Sequence, residues 1–192
     1  MKRKNVEIGE EVSIGKKVRF GDDVHLLGEC YIGDNCVIES GSLLFDVVLG
    51  EGCVVHGATV QRSYFYKNCE IGAFSKIANC TCGYGLKTEK FVEIDGAYVA
   101  EDCHIGEHSK LANCSLGRNV KIGSGVSFES NDKKIVVGSN VNIEANCKIV
   151  APVEIADGTH ICAGTTVKKN TNKNDFVLGR EHQENISRQS AK

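Results

Sequence analysis

The feature that most constrains this chain is a six-residue rhythm that runs through most of its 192 residues. An aliphatic or aromatic residue returns every six positions at Ile8, Ile14, Phe20, Leu26, Ile32, Ile38 and Leu44. After a few five-residue steps through Leu49, Val55, Val60 and Phe65, it resumes at Ile71 and Ile77. It returns at Val99, Ile105 and Leu111 and closes on Val137, Ile143, Ile149, Ile155, Ile161 and Val167. Two residues before each of these stands a small or β-branched residue, as at Val24, Cys30, Cys36, Ser42, Cys53, Ala58, Cys69, Ser75, Cys103, Ser109, Cys147 and Thr165. A spacing of two on one face is the period of a strand. Repetition of that pair every six residues predicts short strands, each ended by a tight turn and stacked coil upon coil. Gly, Asn and Asp gather between the pairs, as in Gly33-Asp34-Asn35 and Gly117-Arg118-Asn119, and they tolerate the positive φ that such turns demand.

The rhythm also accounts for an unusual composition. The chain has ten cysteines, no tryptophan and one proline. Seven cysteines (Cys30, Cys36, Cys53, Cys69, Cys103, Cys114 and Cys147) fall in the small inward position, where a free thiol acts as a compact hydrophobe. Cys80, Cys82 and Cys162 lie outside that register. Hydrophobic residues at 41% and charged residues at 25% describe an ordinary folded chain. A net charge of −2 gives no basic footprint for nucleic acid. No apolar run approaches a membrane span, and the basic start Met1-Lys2-Arg3-Lys4 is not followed by the apolar stretch of a signal peptide. The expectation is a cytoplasmic protein with reduced thiols, binding neither nucleic acid nor membrane.

The rhythm breaks twice, over Asn79–Lys90 and over Glu129–Lys134, and loops that interrupt a regular solenoid tend to carry function. There is also a local duplication. The stretch from Ile71 to Cys80 matches that from Ile105 to Cys114, about two coils later, which places Lys76 and Lys110 on one side as a possible pair of cations for a phosphate.

The hexapeptide pattern resembles the hexapeptide-repeat acyltransferase superfamily, whose fold is a left-handed parallel β-helix. The resemblance supplies the left hand, three hexapeptides per coil and hence about nine coils. Residues 1–170 then form an all-β, single-stranded helix, and residues 171–192 a short irregular or helical tail. The run Ile149-Val150-Ala151-Pro152-Val153, with Ala163-Gly164-Thr165-Thr166-Val167, Phe91-Val92-Glu93, Gly106 and Val120-Lys121-Ile122-Gly123-Ser124-Gly125, is similar to a narrower family. This is the acetyltransferase domain of the bifunctional N-acetylglucosamine-1-phosphate uridylyltransferase/glucosamine-1-phosphate acetyltransferases. No Gly-rich uridylyl-transfer loop opens the chain, so uridylyl transfer is not expected.

That resemblance implies acetyl-CoA as coenzyme, a homotrimer with sites between subunits, and no metal. Glu107 stands at the family's catalytic His position with His108 one place later, so the pair are the candidate catalytic residues. Ser124, Ala145, Ala163 and Arg180 are the candidate coenzyme contacts. Lys76, Lys110 and the shortened arm containing Asn131 and Lys133 are candidates for the acceptor. Acyl transfer needs a base for the acceptor proton, and histidine is suited to it near pH 7. The alternative is a non-catalytic assembly or regulatory module of the kind that ends sugar nucleotidyltransferases, because several of the family's acceptor residues are replaced.

Overall fold

A computed structural model describes residues 5–179, and every element in that span is a short parallel β-strand. The strands form a left-handed β-helix of triangular section with three flat faces. The first face stacks ten rungs, from Arg19–Phe20 and Val37–Ile38 through His160–Ile161 to Phe176–Val177. The second face begins with Val6–Ile8 and Val24–Leu27 and runs through Lys76–Ala78, Glu93–Asp95 and Lys110–Ala112 to Thr166–Val167. The third face runs from Val12–Ile14 through Cys30–Ile32 and Tyr98–Val99 to Val153–Ile155. The column is one coil longer than the nine expected. Its last rung lies beyond Val167, where Phe176–Val177 pairs with His160–Ile161.

The inward residues are those that the rhythm selects, and Leu26, Ile32, Ile71, Ile105, Ile143 and Ile161 are fully buried. At the lowest coils the same positions open to solvent, where Ile8 and Ile14 end the stack. The small inward position has a second requirement besides size. Cys36, Cys53 and Cys103 donate their thiol hydrogens to the carbonyls of Gly50, Tyr66 and Gly117 in the next coil, at 3.0–3.1 Å. Ser109 does the same to Gly123 at 2.9 Å. A short side chain with a donor therefore satisfies a corner carbonyl that the strand ladder leaves over.

The break expected over Asn79–Lys90 does not exist. Strands Thr81–Cys82 and Lys87–Thr88 continue the stack in register, with Cys82 between Phe65 and Val99. Cys80 takes the small position, Cys82 and Thr88 take the aliphatic ones, and Leu86 takes a small one, so all four are buried. The residue types changed while the geometry did not. Nine of the ten cysteines are therefore buried, against the seven expected, and Cys162 is the one left partly accessible. The second break is real: Leu116 sits beneath Val137, whereas Val99 sits beneath Leu116, so the extra residues form an exposed arm at Asn131–Lys134.

Burial pushes the Cys80 and Cys103 thiols up to about 11 and Cys114 up to about 12. Thiolate is the reactive form, so these side chains are shielded twice, by packing and by protonation. Native protein exposed to a thiol reagent at neutral pH should label at Cys162 alone, and all ten cysteines should label after denaturation. Fast native labelling at Cys80 or Cys82 would show that this segment is a loop after all.

Candidate functional site

Each coil turns three corners, and most of these corners carry a residue in the left-handed region. At the corner between the first and second faces these are Asp23, Gly41, Gly57, Phe74, Phe91, His108, Gly125, Asn146 and Gly164, with φ between 54° and 76°. The N–H groups of His108, Gly125, Asn146 and Gly164 donate to the carbonyls of Lys90, Glu107, Ser124 and Ala145 at 2.8–3.1 Å. Those bonds stack Glu107-His108, Ser124-Gly125, Ala145-Asn146 and Ala163-Gly164 directly above one another. Five candidates, Glu107, His108, Ser124, Ala145 and Ala163, thus occupy one edge of the prism, in consecutive coils.

Three bulky residues at positive φ in successive coils are uncommon, since each costs about 1–3 kcal/mol where glycine would cost little. Here they form a ladder. The rings of Phe74 and Phe91 stack with centroids 5.2 Å apart, and Phe91 and His108 stack at 4.9 Å with planes only 5° apart. The ladder is exposed, Phe74 by 68% and Phe91 by 45%, so burial does not explain the aromatic choice. Below Phe74 the corner falls away to Gly57 and Gly41, and a side chain at Gly41 would meet nothing within 4 Å. The step opens a groove of about 810 Å³ edged by Arg19, Ser40, His56, Phe74 and Lys76.

His56, in that groove, is a residue that the sequence reading passed over. Its Nδ1 lies 2.8 Å from a Glu39 carboxylate oxygen and its Nε2 lies 3.3 Å from Glu70. The signal was present, since Glu39 and His56 are one coil apart and each follows an inward aliphatic residue. His108, by contrast, is held by stacking, and among the described residues no carboxylate bonds to its ring. Glu107 is exposed, and its backbone N–H donates to Glu89 at 3.0 Å.

The lysine pair is altered by its surroundings. Lys76, Glu93 and Lys110 are direct neighbours in successive coils, and Lys110 pairs with Glu93 at 3.0 Å. The two lysines lie on one side, as the duplication implies, with a carboxylate between them. Both still lie on the second face, two residues past the corner that carries Phe74 and His108. Asn131 and Lys133 do not join them in the same subunit, because their arm leaves the opposite end of that face, after Ser127–Glu129. Arg180 lies outside the described residues. The chain approaches the corner just before it, where the Gly179 N–H donates to Thr165 Oγ1 at 2.9 Å.

Higher on this edge, Glu144 accepts from the Ala163 N–H at 2.9 Å and lies 2.8 Å from His160 Nε2. The Ala163 N–H, and then the His160 ring, hold its carboxyl below the usual glutamate range. Among the described residues the N–H groups of Ser124 and Ala145 have no protein acceptor, and their nitrogens lie against Gly106 and Gly123 of the coil below, where no side chain covers them.

Comparison with known proteins agrees with this architecture. The family description "GlmU-like, C-terminal hexapeptide" fits residues 39–134, and "Bacterial transferase hexapeptide (six repeats)" fits residues 11–45 and 134–169. The chain belongs to the hexapeptide-repeat acyltransferase superfamily, within its GlmU-like C-terminal group. It is 33% identical to the bifunctional protein GlmU of Alkaliphilus oremlandii, over 96% of this chain and 42% of that protein. It is 29% identical to the Listeria monocytogenes bifunctional protein GlmU, over 94% of this chain and 41% of that one. The chain thus spans about two-fifths of the length of these curated relatives. A solved Arabidopsis UDP-N-acetylglucosamine acyltransferase superposes with a TM-score of 0.57 at 21% identity, over 90% of this chain and 69% of that one, and so shares its fold. No helix among the described residues is long and apolar enough to cross a membrane.

The aromatic ladder has a direct test. Replacement Phe91→Ala removes two stacks at once and should destabilise the protein by about 1–3 kcal/mol, taking aromatic pairs at about 0.5–1.5 kcal/mol each. In the wild type the His108 ring protons should resonate upfield through the Phe91 ring current, and in the variant they should return to ordinary positions. Unchanged His108 resonances would mean that the ladder does not persist in solution.

Proposed function

We propose that the chain is a CoA-dependent acyltransferase that transfers acetyl from acetyl-CoA to a sugar or amino-sugar-like acceptor. The observation that carries this reading is the alignment of Glu107-His108, Ser124, Ala145 and Ala163 along one edge. Three coil spacings of about 4.8 Å separate His108 from Gly164, about 14 Å in all, a length on the scale of a pantetheine arm. Glycine, alanine and serine keep that stretch low enough for a thin chain to lie on it, and the Ser124 and Ala145 N–H groups can donate to its amide carbonyls. With the nucleotide end of the coenzyme toward Ala163 and the chain leading to Arg180, the thioester reaches the coil of His108.

At that coil His108 is the candidate base. Its neutral ring takes the proton from the acceptor's hydroxyl or amine as that atom attacks the thioester carbonyl. The tetrahedral intermediate then collapses with loss of the CoA thiolate, which the protonated ring can reprotonate. Glu107 beside it is suited to orienting the acceptor, and the exposed faces of Phe74 and Phe91 offer apolar stacking area for a sugar ring. Lys76 lies at the edge of the groove below, and Lys110 near it is partly neutralised by Glu93.

The working unit of this reading is a homotrimer. Along the third face the outward row is Ser13, Tyr31, Val48, Tyr64, Thr81, Tyr98, Ser115 and Val136, without a charge until Glu154. Tyr31, Tyr64 and Tyr98 are 41–57% exposed there, while Phe65 points inward and is buried. Depletion of charge with enrichment of tyrosine is the composition of an interface core. A neighbouring subunit could then bring its Asn131 and Lys133 to the acceptor. Ten free thiols suit a reducing cytoplasm.

A calorimetric titration with acetyl-CoA tests the reading without knowledge of the acceptor. Binding should be lost in Ala163→Trp, which blocks the edge. His108→Ala should bind as the wild type does but transfer acetyl roughly a hundredfold more slowly, as loss of a general base entails. A flat titration of the wild type at millimolar acetyl-CoA would reject this function and leave a non-catalytic assembly module.

A further inference from the structure

We propose that Glu144, His160 and Cys162 form a binding site for a zinc-type divalent cation, with one coordination position open to solvent. This proposal is separate from acyl transfer and does not rest on it. His160 and Cys162 are two residues apart across buried Ile161, so strand geometry turns both side chains to the same outer surface. Asn142 pairs with His160 in the coil below, which sets Glu144 beneath Cys162. Among the described residues this is the one place where three side chains of these types bring a ligand atom each to within 4.8 Å of one another. Tetrahedral zinc, with bonds of about 2.0–2.3 Å, needs donors about 3.3–3.8 Å apart. The Glu144 to His160 contact of 2.8 Å therefore has to open by about 0.5 Å, a side-chain adjustment at partly exposed positions.

The histidine is also supported on its other side. Nδ1 lies 3.2 Å from the Asn142 side-chain amide, and the ring stacks at 5.0 Å on Phe176. If the Asn142 amide turns its oxygen toward the ring, it accepts from Nδ1–H and leaves the Nε2 lone pair for the metal, the outer-shell arrangement that fixes a metal-bound imidazole. His56 makes the useful contrast. It too contacts two carboxylates, but they sit at opposite ring nitrogens and cannot share one ion. Cys162 is also the one cysteine not committed to the core. Imidazole, thiolate and carboxylate together select a borderline cation such as Zn²⁺ over Ca²⁺ or Mg²⁺, which take oxygen donors. On binding, the Cys162 thiol forms its bond as thiolate and releases its proton to solvent.

The test uses the full chain, reduced and freed of metal by chelator, titrated with Co²⁺ and then with Zn²⁺. One Co²⁺ per chain should bind with a thiolate-to-cobalt charge-transfer band in the near ultraviolet, and Zn²⁺ should displace it. Cys162→Ser should abolish the band. His160→Ala should weaken Zn²⁺ by more than the ~10–100-fold that loss of an outer-shell partner costs, and Asn142→Ala by an amount within that range. Circular dichroism of each variant verifies the fold, which these outward positions should leave intact. Absence of the band in the wild type, a band undiminished in Cys162→Ser, or affinity unchanged in His160→Ala would each overturn the site.

Discussion

The structure depends on a single local constraint, the tight turn that the chain makes at the corners of each coil. A β-helix of this section has little chain to absorb the change of direction, so at most corners one residue adopts a positive φ, commonly near +60°. Asparagine, aspartate and glycine meet the requirement at least cost. Above Lys17 they fill one corner column through Asn35, Gly52, Asn68, Gly85, Asp102, Asn119, Asn140, Gly158 and Asn174. There the side chains also bond along the column, as Asn119 does to Asn140 at 3.0 Å. Once the corners are fixed, the strand ladder, the inward aliphatic stack and the short hydrogen-bonding residues between them follow, and each coil templates the next.

Departure from that economy marks the edge where Phe74, Phe91 and His108 stand. The same corner supplies small residues at Ser124, Ala145 and Ala163 in the coils above, and bare glycines at Gly41 and Gly57 below. One edge therefore combines a low channel, a stack of rings and a groove. The other two corners are lined with polar side chains engaged with each other, such as Arg62 to Asn79 at 2.9 Å and Asn79 to Asp95 at 2.7 Å. Side-chain size thus sets the candidate edge apart from the two polar corners.

Much of the fold was legible in the sequence, because Ile, Leu and Val at a fixed step leave only a few architectures open. Legibility failed where the slots were filled by other residues. Cys80, Cys82, Leu86 and Thr88 are packed like their neighbours, yet they read as a loop because Cys82 and Thr88 stand in aliphatic positions and Leu86 in a small one. The candidate site was legible only as separate residues. Glu107, Ser124, Ala145 and Ala163 could be chosen one at a time, but only the stacking of coils of unequal length shows that they share an edge. His56 with Glu39 and Glu70, and the convergence of Glu144, His160 and Cys162, depend on contacts between coils that a linear pattern does not display. The interleaving of Glu93 between Lys76 and Lys110 was hidden for the same reason.

Amide hydrogen exchange with and without acetyl-CoA distinguishes the proposed working edge from the other two. Coenzyme binding at that edge should add protection in peptides covering Glu107-His108, Ser124-Gly125, Ala145-Asn146 and Ala163-Gly164, with the Asn35-to-Asn174 corner unchanged. Protection centred on that asparagine corner, or none at any edge at saturating coenzyme, would contradict it.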